Sequence, residues 1–225
     1  MSIGQSSSSA MLASALTAGG AVHSPGAGRR QRRADETRLR LFRCAVQLFS
    51  ERDFANVTVE EITEAADVGK GTFFNYFESK DQVLGVMAEI QLGKAAEALA
   101  RVERGKQTIH AVLHRLFLRL AEEPGRSPEL ARTIISSFLA REKVRKHVAL
   151  KMQEGHEIAA RIVALGQERG EIDRALKRDV VAMQAMQTIM GTVLLWSLHE
   201  EPALKVWMEN SFQHFWKSIA VSGEK

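Results

Sequence analysis

From Leu41 to Ile219, apolar residues recur every three to four positions, and the 225-residue chain contains only four prolines. That spacing closes one face of a helix, whereas strands alternate at every second residue, so an all-β fold is excluded and an all-α fold of about nine helices is expected. Leu41, Ala45, Leu48 and Phe49 form the first such stripe and predict a helix over about 35–51. A hydrophobic fraction of 45% and a charged fraction of 26% fit a soluble globular chain long enough for one or two cores.

Residues 1–28 are rich in Ser, Ala and Gly and carry no charged side chain, which predicts a disordered tail. No positive charge precedes the weak apolar run Met11 to Leu16, so a secretory signal is not expected. The stretch Val180 to Leu198 comes nearest to a membrane span, but Gln184, Gln187 and Gly191 interrupt it. The single cysteine, Cys44, cannot form an intrachain disulfide. A cytoplasmic protein with no membrane partner is the expectation. Seven arginines between Arg29 and Arg43 face only Asp35 and Glu36, a local net charge of +5 headed by a basic arm at 29–33.

Thr58-Val59-Glu60-Glu61 is a capping box, in which threonine and glutamate each satisfy a backbone donor at a helix start. It opens a short helix ending at Ala66. Asp67 can take the left-handed conformation of a sharp exit, and another helix then runs over about 69–76. Ser79-Lys80-Asp81-Gln82 is a second box and starts a long helix to about Val102. Two short helices joined by a three-residue turn make a helix-turn-helix.

Core packing accounts for Phe73 and Phe77 in the segment from Gly69 to Phe77 but not for its other residues. Lys70, Thr72, Asn75 and Tyr76 are expected to face outward. A cation, a hydroxyl, an amide and a phenol suit a duplex, whose phosphates take hydroxyls and ammonium groups and whose major groove takes lysine and asparagine. Gly71 permits close backbone approach. The run from Thr37 to Leu84, above all Ala66 to Asp81, resembles the DNA-binding domain of the TetR/AcrR family of bacterial transcriptional regulators. The resemblance implies that the recognition helix, about 69–76, enters the major groove with Lys70, Gly71, Thr72, Asn75 and Tyr76 at the DNA. It also implies Thr58 and Lys80 at phosphates, and Arg32 and Arg33 on an arm of the kind that enters the minor groove. Three positions depart from the pattern: Gly69, Asp67, and Phe74, which stands where a tyrosine usually donates to phosphate.

On this reading residues 34–82 form the DNA-binding domain, and 83–225 form a helical effector-binding and dimerisation domain. Within the latter, Leu165 to Ile172 is similar to the family's glycine-bounded turn before its eighth helix. The helix over 178–199 is apolar all round, so one side is expected on its own core and the other on a partner subunit. Ala185, Gly191 and Leu195 are assigned to this dimer interface with Trp207, Phe212 and Phe215 of the last helix. Met87, Phe117, Phe138, Met152, Met183, Met186 and Met190, with the polar candidates His110, His114 and His156, are assigned to a pocket for a hydrophobic or aromatic effector. Such stripes are more often simply core. His110 and His114 have metal-compatible i, i+4 spacing but no further ligands, so neither a metal nor a cofactor is expected. No phosphate loop, nucleophile elbow or activated cysteine is found, and catalysis is not expected. The expected function is a homodimeric repressor that leaves a palindromic duplex operator when a small molecule binds. The alternatives are an activator or ligand-independent regulator, and a helical protein- or RNA-interaction module.

Overall fold

The computed structural model describes residues 27–221, apart from Asp53, Arg141 and Glu200. Among these residues the chain forms nine α-helices and no strand. They are α1 (Ala27–Glu51), α2 (Val59–Ala65), α3 (Lys70–Phe74), α4 (Lys80–Glu103), α5 (Ile109–Leu120), α6 (Pro128–Ala140), α7 (Glu142–Glu168), α8 (Arg178–His199) and α9 (Leu204–Ile219). Short 3-10 turns occupy Phe54–Asn56 and Pro124–Arg126. The expected tail at 1–28 lies outside the described residues except for its last two, which are helical. Residues 29–33 are also helical, so the basic segment is the first turns of α1 rather than an arm ahead of it.

The chain divides into two compact units, one running through Gly93 and including Ser136–Val148, the other formed by Lys94–Ile135 and the segment from Ala149 onward. In the first unit, the inward stripe of α1 (Leu41, Phe42, Ala45, Val46, Phe49) is buried with Ile62, Ala66, Phe73, Phe77, Val83 and Leu84. Thr58 caps α2 as its sequence dictates, its hydroxyl accepting from the Glu61 amide (3.2 Å) while the Glu61 carboxylate accepts from the Thr58 amide (2.8 Å). Hydrogen bonds from the Thr58 amide, Arg52 and the Thr58 hydroxyl hold the Glu61 carboxyl down to about 2. Asp67 has φ 49°, the left-handed turn on which α2 stops before α3 begins.

In the second unit, Phe117 of α5 meets Phe212 (5.2 Å) and Phe215 (5.3 Å) of α9, all three buried in one cluster with Trp196 of α8 and Met208 of α9. Thr192 of α8 donates to the Thr188 carbonyl (2.6 Å) and shares a 2.8 Å hydrogen bond with the Ser211 hydroxyl of α9, so a buried hydroxyl between the two helices is satisfied. Lys94 is buried, and its ammonium donates to the Arg119 carbonyl near the end of α5 and pairs with Glu123. Gly166 accepts the amides of Glu171 (2.9 Å) and Ile172 (3.2 Å) in the turn before α8. A Cβ on Gly166 would stand 2.6 Å from the Ile172 side chain, so any larger residue there would force Ile172 to shift.

Candidate nucleic-acid interface

Helix α3 has only five residues and is held by its aromatic face. Phe73 and Phe77 are buried, with ring centroids 5.4 Å apart. The opposite side is left to solvent: Lys70 and Phe74, one turn apart, are exposed, and so are Gly71 and Asn75 beside them. Thr72 and Tyr76 are half-buried. Nothing lies within 4 Å of where a Cβ would stand on Gly69 or Gly71, so the glycines leave this surface low rather than relieving a clash. The Lys70 ammonium pairs with Glu60 of α2, and its hydrogen bond holds the Glu60 carboxyl below the usual range. Sequence reasoning missed this pair, because residues ten apart meet only once the turn at Asp67 brings the two helices together.

Two expected phosphate contacts are otherwise engaged. The Lys80 ammonium donates to the carbonyls of Phe54 (2.6 Å), Val57 (2.8 Å) and Ala55 (3.3 Å) and stands 4.5 Å from the Phe54 ring centroid. Its three N–H donors therefore tie the start of α4 to the loop before α2 instead of projecting toward a duplex. The Thr58 hydroxyl donates to the Glu61 carboxylate (2.9 Å) while it accepts from the Glu61 amide.

Arg32 and Arg33 are exposed on α1 and share its outer stripe with Arg40 and Arg43. A helix about 10–12 Å across does not fit a minor groove about 6 Å wide, so these side chains can reach phosphates while their backbone stays outside the groove. Arg38 turns inward and forms a two-pronged bond to Glu89 of α4 (2.6 and 2.8 Å), which raises its pKa and fixes α1 against α4. Cys44 donates to the Ala65 carbonyl (3.3 Å), and burial pushes its thiol up, the opposite of what a nucleophile needs.

The expected effector residues fall in both units. Met87 is buried and Phe138 half-buried in the first unit. In the second, the His110 and His114 rings lie parallel with centroids 6.1 Å apart; His110 meets Trp216 edge-on (5.0 Å), and His114 bonds Glu209 (2.7 Å). The α5–α9 contact thus accounts for both histidines. His156 donates to the Asp179 carbonyl (3.0 Å), Met186 and Met190 are half-buried, and Met152 and Met183 are exposed. A cavity of about 190 Å³ in the first unit is lined by other residues, among them Arg38, Tyr76, Glu89, Lys143 and His147.

The expected dimer residues also separate. Phe212, Phe215 and Ala185 are buried within the second unit and are unavailable to a partner, because α8 and α9 pack on each other through them. Trp207 and Gly191 are half-buried, and Leu195 is 51% exposed. Val180, Met183, Leu194 and Leu198 are also exposed, and with Leu195 they line one face of α8. By length and composition, α8 is the described helix apolar enough to cross a membrane, yet its opposite face is committed to α9.

Residues 41–87 match the family model described as bacterial regulatory proteins, tetR family. The chain is similar to the HTH-type transcriptional regulator TcmR of Streptomyces glaucescens, 32% identical over an alignment of 149 positions that covers 53% of this chain and 66% of that protein, just under two thirds of its length. It is 26% identical over 159 residues to the HTH-type transcriptional repressor DhaR of Mycobacterium sp. (strain GP1), covering 70% of this chain and 80% of that one. The solved structure of Thermus thermophilus FadR, a TetR-family transcriptional repressor in complex with lauroyl-CoA, superimposes with a TM-score of 0.58 at 25% identity, over 83% of this chain and 97% of that one. The transcriptional regulator FadR from Bacillus subtilis, in complex with stearoyl-CoA, shares the fold with a TM-score of 0.58 at 20% identity, over 83% and 99%.

Proposed function

We propose that this chain, which belongs to the TetR family of bacterial regulatory proteins, is a cytoplasmic repressor that binds operator DNA as a two-fold dimer and releases it when a small molecule binds the helical domain. The observation that carries the reading is the outer face of α3, where Lys70, Gly71 and Asn75 are exposed on a helix anchored from behind by Phe73 and Phe77. Lysine in the major groove reads guanine and asparagine reads adenine, while hydroxyls such as those of Thr72 and Tyr76 take phosphates. The DNA-binding domain is assigned to 34–82 and the effector and dimerisation domain to 83–225. Lys80 serves the interface by positioning the loop before α2.

One five-residue helix makes too few contacts to specify an operator. Two copies related by a dimer axis would read half-sites about 34–36 Å apart on one side of the duplex. An effector that binds better to a dimer with the wrong separation lowers DNA affinity by the same factor by which DNA lowers its own. The acyl-CoA in the two FadR structures makes an amphipathic ligand with a long apolar tail the first compound class to test. The chain's role is regulatory rather than catalytic.

The test is selection of bound sequences from a random duplex pool. A palindrome whose binding is lost in Lys70→Ala or Asn75→Ala is expected, with release by a chain-length-dependent set of acyl-CoAs. Sequence-blind binding that depends only on salt would overturn the reading.

A further inference from the structure

We propose that Phe74 is a base-reading residue that contacts the C5-methyl group of a thymine in each half-site. The inference rests on the duplex-binding reading above and adds a specificity determinant to it. Of the three phenylalanines on or just after α3, Phe73 and Phe77 fill the core, whereas Phe74 keeps 49% of its surface exposed. Its ring meets Phe73 edge-on, centroids 5.4 Å apart at 82°, so one edge is fixed and the remainder faces outward.

A single exposed phenylalanine is ordinary on a protein surface; its placement here is not. Phe74 lies one turn from Lys70 and next to Asn75, with Gly69 and Gly71 leaving bare backbone on the preceding turn. The ring is therefore an apolar projection set among the groups that carry the polar base readout. It has no donor for a phosphate and no acceptor for a base amino group. In the major groove, apolar side chains are matched by the thymine methyl, the apolar group displayed on base-pair edges there. An aromatic ring beside an asparagine thus supplies what the amide lacks: it distinguishes a thymine from a cytosine by volume rather than by hydrogen bonding.

Deoxyuridine in place of thymine removes that methyl and leaves Watson–Crick pairing intact. With the full chain and the duplex selected above, each thymine is replaced in turn and affinity is measured at fixed salt. One position per half-site is expected to weaken wild-type binding about three- to fivefold, the worth of one methyl group removed from water. Phe74→Ala should bind the thymine and uracil duplexes equally at that position, and Phe74→Leu should keep part of the discrimination. The wild-type measurement stands even if a variant fails to fold. The proposal is overturned if no uracil substitution weakens the wild type, if the half-site contains no thymine, or if the uracil penalty persists in Phe74→Ala. A clear palindrome without methyl dependence removes this inference alone, whereas a pool that yields no preferred sequence removes the duplex-binding reading with it.

Discussion

At the scale of the residue, Lys80 shows how a cation beside the proposed DNA face can already be engaged within its own fold. Its ammonium lies on three backbone carbonyls, and removing it leaves those acceptors short of a charged donor in a partly buried loop. Lys80→Met should cost about 2 kcal/mol of unfolding free energy while leaving the salt slope of operator binding unchanged; calorimetry and a salt titration read the two effects separately. A lysine bound to a phosphate would show the reverse, with the slope falling by about 0.9 for each duplex phosphate no longer neutralised. Glu61 gives a second outcome. Because its folded carboxyl is held at about 2, below its unfolded value near 4.3, its contribution is fully present above the unfolded value and is lost as pH falls toward the folded one. The melting temperature of the wild type should exceed that of Glu61→Gln at pH 6, and the gap should close between about pH 5 and pH 2. The capping partners were legible because a helix start demands those residue types at fixed spacing. The carbonyl partners of Lys80 were not, since they are backbone atoms 23 to 26 residues away that carry no side-chain signature.

Among the elements, α2 and α3 were readable down to their turn, because capping chemistry, a left-handed Asp67 and two inward phenylalanines all point to one geometry. The start of α1 departs from expectation for a physical reason. The apolar stripe that marks the helix begins only at Leu39 and Leu41, and the arginines ahead of it have good intrinsic helix propensity but no periodic apolar partner to show that they continue it. That difference changes what the arginines can do. As an extended arm they could read minor-groove width, but as turns of a helix they could reach only phosphates. Replacing both Arg32 and Arg33 by alanine should lower the magnitude of the log K against log salt slope by about 1.8 per protomer, or about 3.6 for a dimer, and the selected operator sequence should be unchanged. A changed preference at A·T-rich flanking positions would show that these residues enter the minor groove after all.

For the molecule as a whole, the proposed function turns on how two copies associate, and the exposed face of α8 is where that proposal can be tested. A helix apolar on every side is expected to be covered on two sides, and the structure covers one of them. Which aromatic residues cover which side was not legible, because Phe212 and Phe215 recur at a spacing that serves a core and an interface equally well. The structure commits both to the second unit's own core and leaves Val180, Met183, Leu194, Leu195 and Leu198 outward, with space beside Gly191. An interface through that face makes two mutations behave differently. Leu195→Glu sets an unpaired charge in the contact but removes no core packing, so it should yield a folded monomer by sedimentation equilibrium with an unchanged helical spectrum. Operator affinity should then fall about 10²- to 10⁴-fold, because the second half-site no longer benefits from the effective concentration that the first provides. Phe212→Ala should instead lose about 3–5 kcal/mol of stability through its cavity, and the fraction that remains folded should still dimerise. If Leu195→Glu stays dimeric with full operator affinity, the two-fold axis passes through some other surface, and α8 is covered by a different partner.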